Sequence, residues 1–342
     1  MTSTGDVIKP DIKREVPRPP PDKLTVGFIL ARSFTLSAFA LFVDTLRLAS
    51  DKYDRSGRVL ADWHVLASNR HFVTSSCGVQ VAPTSAFVDP RRFHYIVVVG
   101  GLLGGEMAVD EETIQFLRKA DAEQVPLIGL CTGSFILAEA GLMTGHQTCI
   151  SWLHYRAFRD QFPDLDVRAD RLFNLDRRRG SCAGGSSAAD IAAQIVRQYL
   201  GSDAERNALE VLQIEKARGA RDVQVRRPLS LDCNDARIKA VLILMEQTLG
   251  DSVTIVALAR SVGLSRRQLE RLFHQELNLS PAHAYLRIRM EKALALLTQT
   301  RASMIEIALE IGLENASHFT QVFRRTFGIT PTEYRKQFAS GC

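Results

Sequence analysis

Residues 259–281 read ARSVGLSRRQLERLFHQELNLSP, and residues 308–331 repeat the pattern as ALEIGLENASHFTQVFRRTFGITP. An alanine, a glycine and a leucine recur at one spacing, and a Ser/Thr-Pro pair closes each copy. After each Gly-Leu pair, apolar residues return at intervals of three and four, which predicts an amphipathic helix. The C-terminal part of the chain is therefore predicted to contain one helical module twice.

Each copy has the residue pattern of a helix-turn-helix. A small alanine lets two helices cross closely, and a glycine suits the reversal between them because it adopts positive φ without strain. A leucine is then expected to fill the space between the helices. These residues are Ala259, Gly263 and Leu264 in the first copy and Ala308, Gly312 and Leu313 in the second. Ser265 is expected to cap the second helix of the first copy.

The outer faces of helices 266–277 and 316–327 predict contacts with DNA. Arginine and glutamine pair bidentately with guanine and adenine in the major groove, and basic or hydroxyl side chains contact phosphates. The alternative is a solvated helix face, which two copies of one pattern disfavour. The candidate DNA-binding residues are Ser265, Arg266, Arg267, Gln268, Arg271 and His274 in the first copy and Ser317, His318, Thr320, Gln321, Arg324 and Arg325 in the second.

The stretch between the copies, 281–297, predicts a linking helix that starts at a proline. About 17 residues at ~1.5 Å each make a rod of roughly 25 Å. Such a rod can hold two recognition helices in successive major grooves, which lie ~34 Å apart. Because the duplication lies within one chain, each chain is expected to read a non-palindromic half-site.

Residues 237–340 resemble the AraC/XylS-type transcription regulators. The resemblance is carried by SRRQLERLF at 265–273, by the arginine-rich linking helix and by SHFTQVFRRTFGITPTEYR at 317–335. It implies sequence-specific promoter binding and, usually, activation through contacts with RNA polymerase. We place the two modules at about 254–277 and about 303–327.

Upstream of residue 201, short apolar runs alternate with helical patterns. Runs that are apolar on both faces and rich in β-branched residues are typical of a buried parallel sheet. The predicted strands are 24–30, 63–67, 95–99 and 126–130, and the predicted helices are 38–49, 111–123, 132–141 and 187–200. This alternation predicts an α/β sandwich with a parallel, flavodoxin-like sheet, followed by the all-α domain.

The segment GLCTGS at 129–134 follows a predicted strand and precedes a predicted helix, as a nucleophile elbow does. A thiol at a helix N-terminus can have a lowered pKa. The glycine-rich segment 100–105 can present backbone N–H groups to an anion. Residues 24–201 resemble the PfpI-like, class I glutamine-amidotransferase-like superfamily at the elbow, at 137–145 and at 182–190. Together with the C-terminal domain they resemble the GlxA-type AraC regulators, which include regulators of arginine, glycine betaine and carnitine catabolism.

An enzyme would need a base beside Cys131, because a thiol nucleophile is activated by a histidine within hydrogen-bond reach. Hydrolytic relatives place a histidine directly after the cysteine, where this chain has Thr132. Many regulator relatives have His-Trp after the next strand, where this chain has Ser151 and Trp152. We therefore expect no catalytic residues, and a pocket that is retained for an effector.

The candidate effector pocket comprises Phe34, Gly101, Leu102, Cys131, Thr132, Ser151 and Trp152. Three alternatives stay open for Cys131: a purely structural elbow residue, a redox sensor, or the nucleophile of a cysteine hydrolase or amidase with a DNA-binding appendage. Trp152 is either a core aromatic residue or a face for a cationic ligand.

Composition excludes several classes of protein. The 342 residues are 46% hydrophobic and 24% charged, which is ordinary for a globular chain. No apolar run approaches the ~18–20 residues of a membrane span, and no secretory signal precedes the first strand, so we expect a cytoplasmic protein. Six cysteines lack Cys-x-x-Cys spacing, and His64, His71 and His94 look isolated, so we expect no metal and no cofactor.

The predicted organisation has four parts. Residues 1–22 form a disordered Pro-rich tail, 23–201 an effector-sensing and dimerisation domain, 202–236 a connecting helix (204–218) with a linker, and 237–340 the DNA-binding domain. The expected partners are promoter DNA, RNA polymerase, a small nitrogenous effector and a second copy of the chain. The net charge is only +5, so DNA binding is expected to depend on the arginines of the duplicated helices, with acidic residues elsewhere.

Overall fold

The computed structural model describes residues 23–51, 55, 57–104, 108–224, 231, 233–251 and 253–338. These residues form two compact units. The first contains the described residues up to Arg168 together with Leu172–Ala220, and the second contains Ala169–Arg171 with the described residues from Arg221 onward. The predicted tail at 1–22 lies outside the described residues.

The first unit is built on a seven-stranded sheet, and its parallel character is confirmed. The strands are β1 Leu24–Leu30, β2 Ala61–Ala67, β3 Val73–Thr74, β4 Gln80–Val81, β5 Ser85–Ala86, β6 Tyr95–Val99, β7 Leu127–Leu130, β8 Thr148–Cys149, β9 Val167–Arg168, β10 Phe173–Leu175 and β11 Arg179–Cys182. The sheet order is β10-β11-β7-β6-β1-β2-β5, and β10 alone pairs antiparallel in it. Strands β3–β4 and β8–β9 form two small ladders.

Helices cover the sheet because its central strands are apolar on both faces. The helices of this unit are α1 Leu36–Ser50, α2 Glu111–Ala122, α3 Gly133–Glu139, α4 Tyr155–Gln161, α5 Ser187–Leu200 and α6 Ser202–Val211. All seven residues of β1 are buried. Phe28 packs in one core with Phe42 of α1 and Ile191 of α5. The α/β fold predicted from the strand–helix alternation is therefore confirmed.

The helix predicted over 204–218 is wrong at its C-terminal end. Helix α6 stops at Val211, and Gln213 adopts a left-handed φ of 57°. The amides of Gln213 and Ile214 bond back to the carbonyls of Glu210 and Leu209, which is a Schellman-type helix end. Residues 202–220 cluster with the first unit.

Strand β11 was missed by the hydrophobic pattern. Its sequence, RGSC, contains an arginine and a glycine, yet it lies between β7 and β10 and is fully buried. Arg179 is tolerated there because its Nη2 lies 2.6 Å from Asp121 Oδ1 and its Nε donates to the Leu142 carbonyl at 2.5 Å. Burial by itself raises the pKa of Asp121, but Arg179 and Arg178 outweigh it, so that pKa lies below its usual value.

The helices and strands that the structure describes in the second unit are all helices, as predicted. Its helices are α7 Ala236–Gln247, α8 Ile255–Ser261, α9 Arg266–Leu277, α10 Pro281–Gln299, α11 Met304–Glu310, α12 Ala316–Phe327 and α13 Pro331–Phe338. Helices α8 and α9 form the first helix-turn-helix, and α11 and α12 form the second. Helix α10 joins them and runs two residues beyond the predicted 297.

The two modules have separate hydrophobic cores. Leu269 and Phe273 of α9 are buried in the first core, and Phe319 and Phe323 of α12 occupy the equivalent places in the second. Helix α10 contributes to both, with Ala284, Tyr285 and Ile288 in the first core and Met290, Ala293 and Leu297 in the second.

Both turn glycines have the expected positive φ, 71° at Gly263 and 73° at Gly312. In each turn the leucine amide bonds to the alanine carbonyl, at 2.9 Å for Leu264 and 2.8 Å for Leu313. The two glycines differ in their surroundings. A Cβ on Gly312 would lie 2.0 Å from the backbone carbonyl oxygen of Leu249, whereas no described atom outside the turn lies within 4 Å of one on Gly263.

This difference predicts unequal effects of one substitution. Gly263→Ala should cost only the left-handed strain of a non-glycine residue, about 1 kcal/mol. Gly312→Ala should cost clearly more, because a backbone oxygen must also move. Urea unfolding of the full chain measures both free energies, and equal losses would contradict the close approach at Gly312.

Candidate functional site

The start of α9 is held by a capping box. Ser265 Oγ accepts the Gln268 amide at 3.3 Å, and Gln268 Oε1 accepts the Ser265 amide at 2.8 Å. The predicted cap is therefore confirmed, but the Gln268 side-chain oxygen is occupied by it. Arg266 Nε donates to Glu270 Oε1 at 2.8 Å. The expectation that acidic residues lie away from these arginines is wrong at this position.

The other predicted residues of α9 point outward. Arg267, Arg271 and His274 are exposed, whereas Leu269 and Phe273 on the opposite side are fully buried. Within the described part of the chain, none of these three polar side chains makes a hydrogen bond or an ion pair. They are therefore available to a partner.

Helix α12 starts at a cap that the sequence analysis did not include. Asn315 Oδ1 accepts the His318 amide at 2.8 Å. The signal was present, because asparagine is a preferred N-cap and stands 50 positions after Ser265. Thr320 is half-buried, and its hydroxyl donates to the Ala316 carbonyl at 2.8 Å. The remaining predicted residues of this helix are exposed: Ser317, His318, Gln321, Arg324 and Arg325.

The cysteine elbow has the expected geometry. Strand β7 ends at Leu130, Cys131 adopts a φ of 56°, and α3 begins at Gly133. The turn is sharp because backbones approach closely around it. A Cβ on Gly133 would lie 2.1 Å from the Val98 carbonyl oxygen. The elbow thus presents its side chain at the carboxyl edge of the sheet.

The described surroundings of Cys131 supply no base. The Thr35 hydroxyl donates to its sulfur at 3.4 Å, and no histidine or carboxylate contacts that sulfur among the described residues. His154, which lies near in sequence, packs edge-on against Phe135 instead. Burial lowers the pKa of His154. Among the described residues, the elbow therefore lacks the activating partner that a thiol nucleophile needs.

A cavity of about 630 Å³ opens beside the elbow, where the carboxyl ends of β1 and β6 meet the start of α3. The strand order reverses between β1 and β6, and ligands bind at such a switch point in open α/β sheets. Three predicted residues line this cavity, namely Gly101, Leu102 and Thr132. The sequence analysis missed other lining residues because they come from separate elements: Arg32, Phe135, Glu139 and Gln161.

Four predicted pocket residues do not line this cavity. Phe34 is fully buried and packs edge-on against Phe39 in the core. Ser151 caps a short 3-10 helix by accepting the Leu153 amide, and Trp152 is half-buried in that helix. Cys131 lies at the elbow itself, outside the wall.

A second, larger cavity of about 930 Å³ lies at the carboxyl ends of β1 and β2. Phe72 and His71 are on its rim, and Leu66 lies in its apolar wall. Its wall comes from the ends of β1 and β2 and from residues 108–113 at the start of α2, whereas the switch-point cavity is lined by the start of α3 and by α4. Arg32 lines both cavities.

The described residues contain no group of three or more His, Cys, Asp or Glu side chains that could hold a metal ion. His94 Nδ1 accepts the Thr25 amide at 3.0 Å, so this histidine has a structural partner. No helix in the described ranges is both long enough and apolar enough to cross a membrane.

Comparison with known proteins identifies the family of each unit and of the whole chain. A family model described as a helix-turn-helix domain matches residues 258–337, and the DJ-1/PfpI family model matches residues 52–161. The HTH-type transcriptional regulator GbdR of Pseudomonas aeruginosa is 35% identical over 315 residues, which are 91% of this chain and 84% of GbdR. The chain is an AraC-type transcriptional regulator with a DJ-1/PfpI domain.

Two further relatives were compared with this regulator over the length that each one matches. The HTH-type transcriptional regulator GlxA of Rhizobium meliloti is 30% identical over 319 residues, which are 92% of this chain and 96% of GlxA. The isonitrile hydratase of Pseudomonas putida is 34% identical over 150 residues, but these are only 42% of this chain and 61% of the hydratase. The relatives that match over nine-tenths of the chain are DNA-binding regulators, and so is this protein; it is not an enzyme.

The thiols of this regulator should differ sharply in reactivity. Burial raises the pKa of Cys182 to about 11, whereas a hydrogen bond from Ser75 lowers the pKa of the exposed Cys77. Because the thiolate is the reactive form, iodoacetamide at pH 7.5 should label Cys77 quickly in the native full chain and Cys182 only after unfolding. Peptide mass spectrometry measures both sites. Labelling of native Cys182 as fast as Cys77 would contradict its burial.

Proposed function

We propose that this regulator activates transcription when its α/β unit binds a small nitrogenous metabolite. The observation that carries the proposal is the cavity at the switch point. It lies beside an elbow whose thiol has no base as a hydrogen-bond partner among the described residues, in a chain that also has two exposed recognition helices. An elbow that keeps its geometry but has no base among the described residues suits recognition of a ligand.

The cavity wall has groups of both charges. Arg32 offers a guanidinium group, which prefers carboxylates. Glu139 offers a carboxylate, held at 3.0 Å by the amide of Gln161. The ring of Phe135 adds an aromatic face, to which cationic nitrogen is attracted. An amino acid or a quaternary amine with a carboxylate is complementary to this wall, and we propose Gly101, Leu102 and Thr132 as further contacts.

The helical unit is proposed to bind promoter DNA in the cytoplasm and to contact RNA polymerase there. A second copy of the chain, held through the α/β units, would supply a second set of recognition helices. The exposed arginines Arg267, Arg271, Arg324 and Arg325 support the DNA contact. The modest net charge of +5 gives weak non-specific attraction, so a dimer with two half-sites would add the missing selectivity.

Filling the cavity should separate sensing from DNA binding. Ala157 lines the cavity from the exposed side of α4, so Ala157→Trp should occupy it without removing a core contact. Asp160→Trp, at an exposed position of the same helix outside the cavity wall, is the matched control. Binding to the native state raises stability by about 2.7 kcal/mol when the ligand is at a hundred times its Kd.

Thermal unfolding with arginine, glycine betaine and carnitine is the measurement. At least one compound should raise the Tm of the wild-type and Asp160→Trp chains, and that shift should vanish in Ala157→Trp while affinity for DNA persists. An unchanged shift in Ala157→Trp would place the effector elsewhere, with the cavity at β1 and β2 as the next candidate.

A further inference from the structure

The two recognition helices can be superposed residue by residue. Their caps, Ser265 and Asn315, are 50 positions apart, and so are their last residues, Leu277 and Phe327. Their buried anchors keep the same offset, since Leu269 corresponds to Phe319 and Phe273 to Phe323. Corresponding positions of α9 and α12 therefore face a partner in the same way.

The middle of each outward face lies opposite these anchors. At 3.6 residues per turn, the positions nearest to that middle are 267, 271 and 275 in α9 and 317, 321 and 325 in α12, and the first two of each helix lie in its N-terminal half. Helix α9 has Arg267 and Arg271 there, whereas α12 has Ser317 and Gln321. All four side chains are exposed, and none makes a hydrogen bond or an ion pair within the described part of the chain.

Neighbouring side chains are less available for reading bases. Arg266 is paired with Glu270, Gln268 Oε1 is held in the capping box, and the Thr320 hydroxyl bonds to its own helix. The two ends of the helices also differ. Helix α12 has no acidic residue and carries Arg324 and Arg325 in its last turn, where α9 has His274 and Gln275.

We propose that the two modules contact different bases: helix α9 selects guanine, and helix α12 selects adenine. Arg267 and Arg271 match the O6 and N7 acceptors of guanine, and Gln321 matches the N6 donor and N7 acceptor of adenine. The residues near the N-terminus of a recognition helix contact base edges. Arg324 and Arg325, at the other end of α12, contact phosphates. This inference rests on the proposed promoter binding and adds the base that each helix selects.

Reciprocal substitution at one register position tests it. Arg271→Gln gives α9 the residue that α12 has, and Gln321→Arg does the reverse. Selection of sites from random double-stranded DNA by the full chain should give a wild-type site with guanine in one half and adenine in the other, about one helical turn apart. Arg271→Gln should change one guanine preference to adenine, and Gln321→Arg should change one adenine preference to guanine in the other half. Each discrimination should change by about 5- to 150-fold.

Arg325→Gln is the control for a phosphate contact. It should weaken binding to all sequences equally and lower the salt slope by about one. If Arg271→Gln and Gln321→Arg lower affinity for every sequence without changing a preferred base, this inference is overturned. The proposed promoter binding would still stand, because site-specific binding would persist. A wild-type chain that selects no sequence would overturn it together with the proposed promoter binding. Unchanged unfolding midpoints in all three variants show that these exposed substitutions leave the fold intact.

Discussion

Helix α10 contributes side chains to two hydrophobic cores, and the DNA-binding unit depends on this shared element. Its N-terminal half packs with α7, α8 and α9, and its C-terminal half packs with α11 and α12. Because each core fixes one recognition helix, a 19-residue rod of about 28 Å sets the separation of the two. The turn at Gly312 adds a second contact between the two modules, because it lies directly against the carbonyl of Leu249, which belongs to the first core. This spacing supports the proposal that one chain addresses two successive major grooves.

The α/β unit keeps the geometry of a nucleophile elbow, although its described residues provide no base for the thiol. Close approach of backbones at Gly133 keeps the strand-to-helix turn sharp, and Cys131 keeps its left-handed conformation. The sulfur nevertheless accepts a hydrogen bond from the Thr35 hydroxyl, and no histidine or carboxylate bonds to it among the described residues. A turn that presents a side chain at the sheet edge also shapes the cavity beside it, so a fold that serves hydratases and regulators alike can supply a binding site.

Much of the fold was predictable from local sequence patterns, whereas features that depend on contacts between residues distant in sequence were not. The turn glycines, the cap at Ser265 and strand β1 could be identified because each depends on neighbouring residues. Strand β11 was missed because Arg179 is stabilised by Asp121, which is 58 positions away. Only part of the cavity wall was predicted, because Arg32 and Glu139 lie outside the elbow and the glycine-rich segment on which the prediction was based. The Arg266–Glu270 pair, by contrast, follows the i,i+4 rule and was readable in the sequence.

The central claim, that α10 holds two recognition helices on one face of the DNA, is tested most directly by hydroxyl-radical footprinting of the full chain on its selected site. The account predicts two protected stretches per chain about one helical turn apart, and a loss of specific binding when about five base pairs are inserted between them, because half a turn moves one half-site to the opposite face. A single protected stretch, with affinity unchanged by the insertion, would contradict it.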